Sequence, residues 1–167
     1  MVGVVIGGLI AGVSSYLIER RRDLLEEQRD QKVRFNAAKQ AARVVDAELE
    51  QAERSAKIAV ERREWWAREI GPIEVGSWAQ YRAILASELS LDNWRLIASA
   101  FGFIHGINSA WAIAFREDPW RQATINLNPP RGLPMSEDDQ KKIPYGIGWI
   151  SKARQSLANL LSDDQER

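Results

Sequence analysis

The chain has 167 residues, enough for about one globular domain besides a membrane anchor, and its 23 lysines and arginines balance its 23 aspartates and glutamates. No segment has the concentrated basic surface that nucleic-acid binding needs, so a nucleic-acid partner is not expected. The chain has no cysteine and one histidine, so it lacks disulfides, thiolate nucleophiles and the usual ligands of zinc and di-iron sites. We therefore predict no metal and no other cofactor.

The first segment, residues 1–18, is an uncharged apolar run that ends just before the basic cluster Arg20, Arg21 and Arg22. At about 1.5 Å per residue it would span about 25 Å, close to the thickness of the hydrocarbon core of a bilayer. The run has no basic n-region and continues into a polar helical segment, which favours an uncleaved transmembrane anchor over a cleaved signal peptide. Basic flanks stay cytoplasmic and attract anionic membrane lipid, so we expect a single-pass protein of the cell membrane whose bulk is cytoplasmic.

Small residues recur at helical spacing within this anchor, namely Gly3, Gly7, Gly8, Gly12 and Ser15. Faces of this type let membrane helices approach closely and associate. Glycines this frequent in a short run also give the spacing by chance, so association in the membrane, and with it a homo-oligomer, is left open.

Residues 19–117 are predicted to form a helical hairpin with its turn near residues 71–76. From Glu19 to about Glu69 there is no proline or glycine, and the apolar residues step by three and four, as in a heptad seam. Five of the ten positions of this seam are alanine, so the seam is rich in small residues. The seam comprises Phe35, Ala38, Ala42, Val45, Leu49, Ala52, Ala56, Ala59, Trp66 and Ile70.

The return segment begins with a capping-box pattern at Ser77, and a second start signal follows at Ser90 or Asp92. Large residues against a small-residue seam fill a dense core, so we expect an antiparallel arrangement with Ala42 near His105. The same seam would also allow the hairpin to swap between two chains. The apolar face of the return segment is formed by Trp78, Tyr81, Leu85, Leu89, Trp94, Ile97, Phe101, Ile104, Trp111 and Phe115.

Residues 118–147 are expected to be a proline-rich linker with one short helix. Ser136 and Asp139 resemble a capping pair at its start, and Pro144 and Gly146 are expected to end it. Residues 148–167 are expected to form an amphipathic helix that packs on the hairpin, followed by a frayed polar tail. The predicted fold class is therefore all-α. The apolar face of the last helix is formed by Ile150, Ala153, Leu157 and Leu160.

A loose spacing of Ala, Arg, Glu, Leu and Trp extends over about residues 20–115. It includes AARVVDAEL at 41–49 and Trp78, Tyr81-Arg82, Leu85-Ala86, Leu89 and Trp94. This pattern resembles small single-span helical membrane proteins of high-GC Gram-positive bacteria and their phages. The resemblance implies a bacterial membrane setting and no activity, cofactor or catalytic residue.

Catalytic residues are not predicted, and the chain is not expected to be an enzyme. His105, the only histidine, is the natural candidate for a general base. A catalytic role would need a nucleophile or a carboxylate partner, and the expected neighbours are Ala42, Arg43 and Asp46. A structural role is favoured, because geometry comes before pKa in the assignment of a general base. The carboxylates alternate with arginines or lie at helix starts, and no glycine-rich phosphate loop is present.

Trp65, Trp66 and Trp78 are expected at the tip of the hairpin, either as a surface for an unknown protein partner or, as the pattern favours, as a plug of the turn. Two functions fit these patterns. One is a membrane-anchored helical scaffold or adaptor that presents a coiled-coil-like hairpin for protein–protein interaction. The alternative is a self-assembling membrane-active protein, of the phage lysis or toxin type, whose glycine-faced spans form a pore. The large, well patterned soluble part favours the scaffold.

Overall fold

The computed structural model describes residues 2–66, 72–117 and 132–162, and this part of the chain contains four helices and a two-stranded ribbon. The helices are α1 (Val2–Arg62), α2 (Gly76–Glu88), α3 (Leu91–Glu117) and α4 (Glu137–Ser162). The strands are β1 (Glu64–Trp65) and β2 (Leu133–Pro134). The helical fold class is confirmed, and the short ribbon is an addition to it. The chain forms two compact units, Met1–Ala38 and Lys39–Arg167.

In the second unit, the predicted seam of α1 is buried. Its small residues have almost no solvent exposure, which lets neighbouring helices approach the α1 backbone closely. The predicted seam lacks Ala41, which widens this buried stripe, and the polar residues Lys39 and Glu53, which are also buried. The stripe comprises Ala41, Ala42, Val45, Leu49, Ala52, Ala56 and Ala59.

The end of α1 lies at Arg62, well before the predicted end near Glu69. Arg63 takes a left-handed conformation with φ of 55°, and its N–H donates to the Val60 carbonyl at 3.2 Å. The chain then extends into β1, which pairs antiparallel with β2 so that Trp65 lies opposite Leu133. Because the backbone is extended here, Trp65 is the buried tryptophan. Trp66, which the predicted helix places in the seam, is half-buried. Ile70 lies outside the described residues.

The chain reverses direction between α2 and α3, and the predicted hairpin has no such reversal. The end of α3 lies beside the end of α1, because the Trp111 indole N–H donates to the Trp66 carbonyl at 3.1 Å. The helices α2 and α3 are separate. The start of α3 lies at the level of the middle of α1, because Asn93 contacts Ser156 of α4 and the nearby Arg154 contacts Asp46 of α1, so α3 runs in the same direction as α1. The chain turns at Ser90, whose hydroxyl accepts the N–H of Asn93 at 3.3 Å and confirms the start signal there. The predicted hairpin is not confirmed, because equal apolar spacing in α2 and α3 carries no information about direction.

The helix α4 is continuous where a short helix and a separate terminal helix were predicted. Its start is capped as expected: the Asp139 N–H donates to Ser136 Oγ at 3.1 Å, and that hydroxyl donates to the Asp139 carboxylate at 2.6 Å. Pro144 and Gly146, predicted to end a helix, lie inside this one. Pro144 forfeits one backbone hydrogen bond, which the buried face of α4 offsets. That face includes Ile143, Gly146, Ile150, Ala153, Leu157 and Leu160.

Gly146 is the point of closest approach between α3 and α4. A Cβ atom at this position would lie 2.0 Å from Cζ of Phe103. Farther along the pair, Ser156 Oγ lies 3.3 Å from Oδ1 of Asn93, so the two helices run antiparallel. The residue that suggested a helix break is therefore required for helix packing.

The start of α2 is capped by α1 and not by its own side chains. The N-cap residue, Val75, makes no side-chain bond, whereas the Ser77 N–H donates to Glu48 Oε1 at 2.9 Å and the Ser77 hydroxyl donates to Glu48 Oε2. The carboxylate satisfies a free N–H and places negative charge at the positive end of the helix dipole. The capping box predicted at Ser77 is therefore wrong, and its partner is a residue of another helix.

Replacing Gly146 with alanine is expected to destabilise the protein by about 1–3 kcal/mol, because the added methyl group collides with the Phe103 ring. Gly148 provides a matched control on the same helix, since a Cβ there meets nothing within 4 Å. Gly148→Ala should instead stabilise the protein by about 0.5–1 kcal/mol. Urea unfolding of both variants measures the difference, and equal effects would contradict the packing described for Gly146.

Replacing Glu48 with alanine is expected to lower the free energy of unfolding by about 1 kcal/mol, the usual cost of losing a helix cap. Glu61→Ala removes an exposed carboxylate of the same helix and should change it by less than about 0.5 kcal/mol. Urea unfolding with circular dichroism tests this comparison. If the Glu48 variant unfolds like the Glu61 variant, the inter-helix cap contributes no stability.

Candidate functional site

An apolar groove of about 400 Å³ lies between α3 and α4. Asp139 and Lys142 lie at its edge, and the rest of its lining is apolar or aromatic. Both charged groups have partners: Asp139 binds Ser136, and Lys142 pairs with Asp138. The walls of the groove are formed by Trp65, Phe103, Ile107, Ile143, Tyr145 and Trp149.

The groove is deep because residues with little or no side chain line it on α3. Gly106 and Ala110 of α3 line it, and a Cβ at Gly106 would meet nothing within 4 Å. At Gly146 the opposite holds, since the Phe103 ring occupies that space. One glycine thus brings the helices together, and another leaves an open concavity beside their contact.

Two large aromatic side chains stand exposed at the groove. Tyr145 is 78% exposed and Trp149 is 48% exposed, and the Trp149 ring lies edge-on to Phe103 with centroids 6.3 Å apart. Exposed apolar surface beside a concave apolar groove is typical of interaction sites. This groove was not among the sites predicted from the sequence. The available signal was the spacing of Tyr145 and Trp149, four residues apart and off the buried face of α4.

The helix α3 that forms one side of the groove is unusually apolar. By length and composition alone, Leu91–Arg116 could cross a bilayer, and 33% of its most apolar window is buried in the protein. Polar contacts hold this helix in the second unit. The Asn108 carboxamide accepts the Ile73 N–H at 2.8 Å and donates to the Ile73 carbonyl at 2.9 Å.

The three tryptophans predicted as a partner surface do not come together. Trp65 is buried and meets Trp66 edge-on at 5.7 Å, and Trp66 stacks on Trp111 at 6.2 Å. Trp78 belongs to a different cluster and stacks on Phe101 at 5.0 Å. Trp65 and Trp66 close the end of the helical bundle, and Trp65, which is 2% exposed, contributes only to the wall of the groove.

The other candidate residues lie apart from the groove. Arg20, Arg21 and Arg22 are exposed on α1. The anchor positions Gly3, Gly7, Gly8, Gly12 and Ser15 lie outside the described side chains. His105, predicted to lie beside the aromatic stripe near Ala42, is exposed on α3. The described ranges contain no cluster of histidine and carboxylate side chains suited to a metal ion.

An ion-pair network fastens α4 to α1 on another side of the bundle. The Arg154 guanidinium lies 2.9 Å from Asp46, 3.4 Å from Glu50 and 3.1 Å from Glu53. Lys57 also binds Glu53, at 2.7 Å. The network positions α4, and with it the aromatic side chains of the groove.

This network shifts the pKa values of Glu53 and Arg154. Burial alone would raise the pKa of Glu53, but hydrogen bonds from Lys57 and Arg154 outweigh burial and hold that pKa below its ordinary value. The hydrogen bond to Asp46 is the largest influence that raises the pKa of Arg154. Because folding lowers the pKa of Glu53, its ion pairs contribute stability at neutral pH.

Comparison with protein-family models, curated proteins and solved structures finds no match for the chain. Inferences about function therefore depend on the residues of the groove and on the patterns of the sequence.

Replacing Arg154 with methionine is expected to cost about 1 kcal/mol at neutral pH, a modest value because the network is partly exposed to solvent. Since folding lowers the pKa of Glu53, its contribution is complete above the unfolded-state pKa of about 4.3 and disappears as the pH falls through the folded-state pKa. The difference between the variant and the parent should therefore shrink below about pH 4. Urea unfolding at several pH values tests this, with Lys152→Met as an exposed control on the same helix. A difference that is constant with pH would contradict the network's role.

Proposed function

We propose that this protein is a non-catalytic, membrane-anchored helical scaffold or adaptor that binds a partner protein through the groove between α3 and α4. The observation that carries the proposal is the pair of exposed aromatic side chains, Tyr145 and Trp149, beside an apolar groove. Aromatic anchors of this kind contribute most of the binding energy in protein interfaces.

The membrane setting is inferred from the first segment. An uncharged apolar run over residues 1–18, followed by Arg20, Arg21 and Arg22, supports a single-pass anchor with the bundle on the cytoplasmic side. The resemblance to single-span helical proteins of bacteria and phages agrees with this setting. The arginines would lie at the anionic lipid surface and add to the attachment.

The composition of the groove favours binding over chemistry. Asp139 and Lys142, the charged residues at its edge, are held by Ser136 and Asp138. A reaction would require several polar groups that converge on a substrate, and the remaining lining residues supply only the Tyr145 hydroxyl and the indole N–H groups of Trp65 and Trp149. An apolar segment of a partner, with one or two large side chains, fits such a lining.

A second candidate is a membrane-active protein, which the length and apolar character of α3 favour. Insertion of α3 into a bilayer would sacrifice the two bonds between Asn108 and Ile73 and the bond from Trp111 to Trp66. These contacts support the scaffold as the better candidate.

Capture of the tagged full-length chain from its native membrane in mild detergent tests the scaffold. We expect a specific protein at fixed ratio, and Trp149→Ala should weaken its binding at least about 30-fold, the effect of losing an interface anchor of about 2 kcal/mol. Ile58→Ala removes a similarly exposed apolar side chain from α1 and should leave binding unchanged. Equal recovery with both variants would overturn the groove as the binding site.

Expression of the chain in cells tests the membrane-active candidate. Permeabilisation of the cells that Gly106→Arg in α3 abolishes would support this candidate over the scaffold.

A further inference from the structure

The exposed face of α3 is uncharged along most of its length. No charged residue occurs between Arg95 and Arg116, although the solvated face of a helix in a bundle is normally charged. The face also carries a large apolar side chain, Ile113, which is 52% exposed. It adjoins the groove, since Gly106 belongs to both. The other exposed residues of this face are Ser99, Gly102, His105, Ser109 and Ala112.

This face is complementary to itself in one orientation. When two copies of α3 lie antiparallel and cross at the level of Ile104, Gly102 of each copy faces Gly106 of the other. In the same register Ser99 faces Ser109, one turn farther from the crossing point. A two-fold axis repeats each of these pairs, as an interface between identical chains requires.

Charge complementarity favours the same register. At the ends of the helix pair, Asp92 of each copy faces Arg116 of the other, so two attractive pairs form. The Asp92 side chain is 92% exposed and its contact with Arg95, at 4.0 Å, is at the limit of an ion pair. A parallel pairing would set Asp92 against Asp92 and Arg116 against Arg116, which repels at both ends.

The glycines of this face are not needed for packing within one chain. A Cβ at Gly102 or at Gly106 would meet nothing within 4 Å, and glycine weakens a helix relative to alanine. Close approach of a second helix backbone gives both positions a reason to lack a side chain. The rim residue Trp149 stands beside the same face and would be partly covered by the second copy.

We propose that the exposed face of α3 binds a second copy of the chain in an antiparallel, two-fold arrangement. The proposal rests on the α3–α4 surface being an interaction surface, as the proposed function states, and it names a partner for that surface. A lone helix pair with its flanking aromatic side chains is a small interface, so the dimer should dissociate on dilution.

Charge reversal tests the proposed register with the full-length chain in mild detergent. The parent should sediment as a dimer, and Asp92→Arg or Arg116→Asp alone should weaken dimerisation at least about tenfold. The double variant should restore it. These two residues lie at opposite ends of one helix, so they cannot compensate for each other within a chain. A monomeric parent, or a double variant weaker than both single ones, would overturn the proposal.

Two further variants separate dimerisation from folding. Gly102→Leu combined with Gly106→Leu should keep or raise the midpoint of thermal unfolding and abolish the dimer. Because the chain has no cysteine, Ser99→Cys and Ser109→Cys chains can be mixed and oxidised, and the mixed disulfide should exceed either homodimer. An excess of the two homodimers would indicate a parallel pair and overturn the antiparallel register.

Other outcomes distinguish this proposal from the scaffold. If the parent is monomeric while Trp149→Ala still abolishes capture of another protein, self-association is wrong and the scaffold stands. If neither effect is seen, both are wrong. If the Ser99→Cys thiol of a monomeric chain is shielded from a soluble reagent only by vesicles of anionic and neutral phospholipid, this face contacts a bilayer, which also overturns self-association.

Discussion

The arrangement of the second unit depends on a contact with no room for a side chain, the Phe103 ring seated on Gly146. This contact brings α3 and α4 together, and it requires α4 to remain helical through a proline and a glycine. The exposed Trp149 ring then lies edge-on to Phe103, beside the opening that Gly106 leaves. Helix packing and the groove therefore have the same origin, the placement of glycines along two helices.

Polar contacts between distant parts of the chain complete the bundle. Arg154 joins α4 to three carboxylates of α1, Glu48 caps α2, and Asn108 binds the backbone before α2. Each contact gives a hydrogen-bond partner to a polar group that would destabilise the fold if it were removed from water without one. They also explain how α3, whose composition resembles that of a membrane span, is held among the other helices of this unit.

Patterns of local origin were predictable from the sequence. The periodic small residues of α1 predicted its buried stripe, and the caps at Ser90 and Ser136 marked the starts of α3 and α4. Features that depend on a distant partner were not predictable. An arginine at position 63 gives no signal for a left-handed turn, and Gly146 suggests a break until Phe103 is known to lie against it. The groove was not predicted for the same reason. Its walls come from two helices, and the pattern of either helix alone does not indicate it.

The ribbon between β1 and β2 has a mechanical consequence. It ties the end of α1 to the segment that leads into α4, while Arg154 ties the middle of α4 back to α1. These two attachments lie far apart along α1, so a pull along the axis of this helix is shared between them. Tension transmitted through α1 would therefore reach the α3–α4 surface through two separate links and not through a single one.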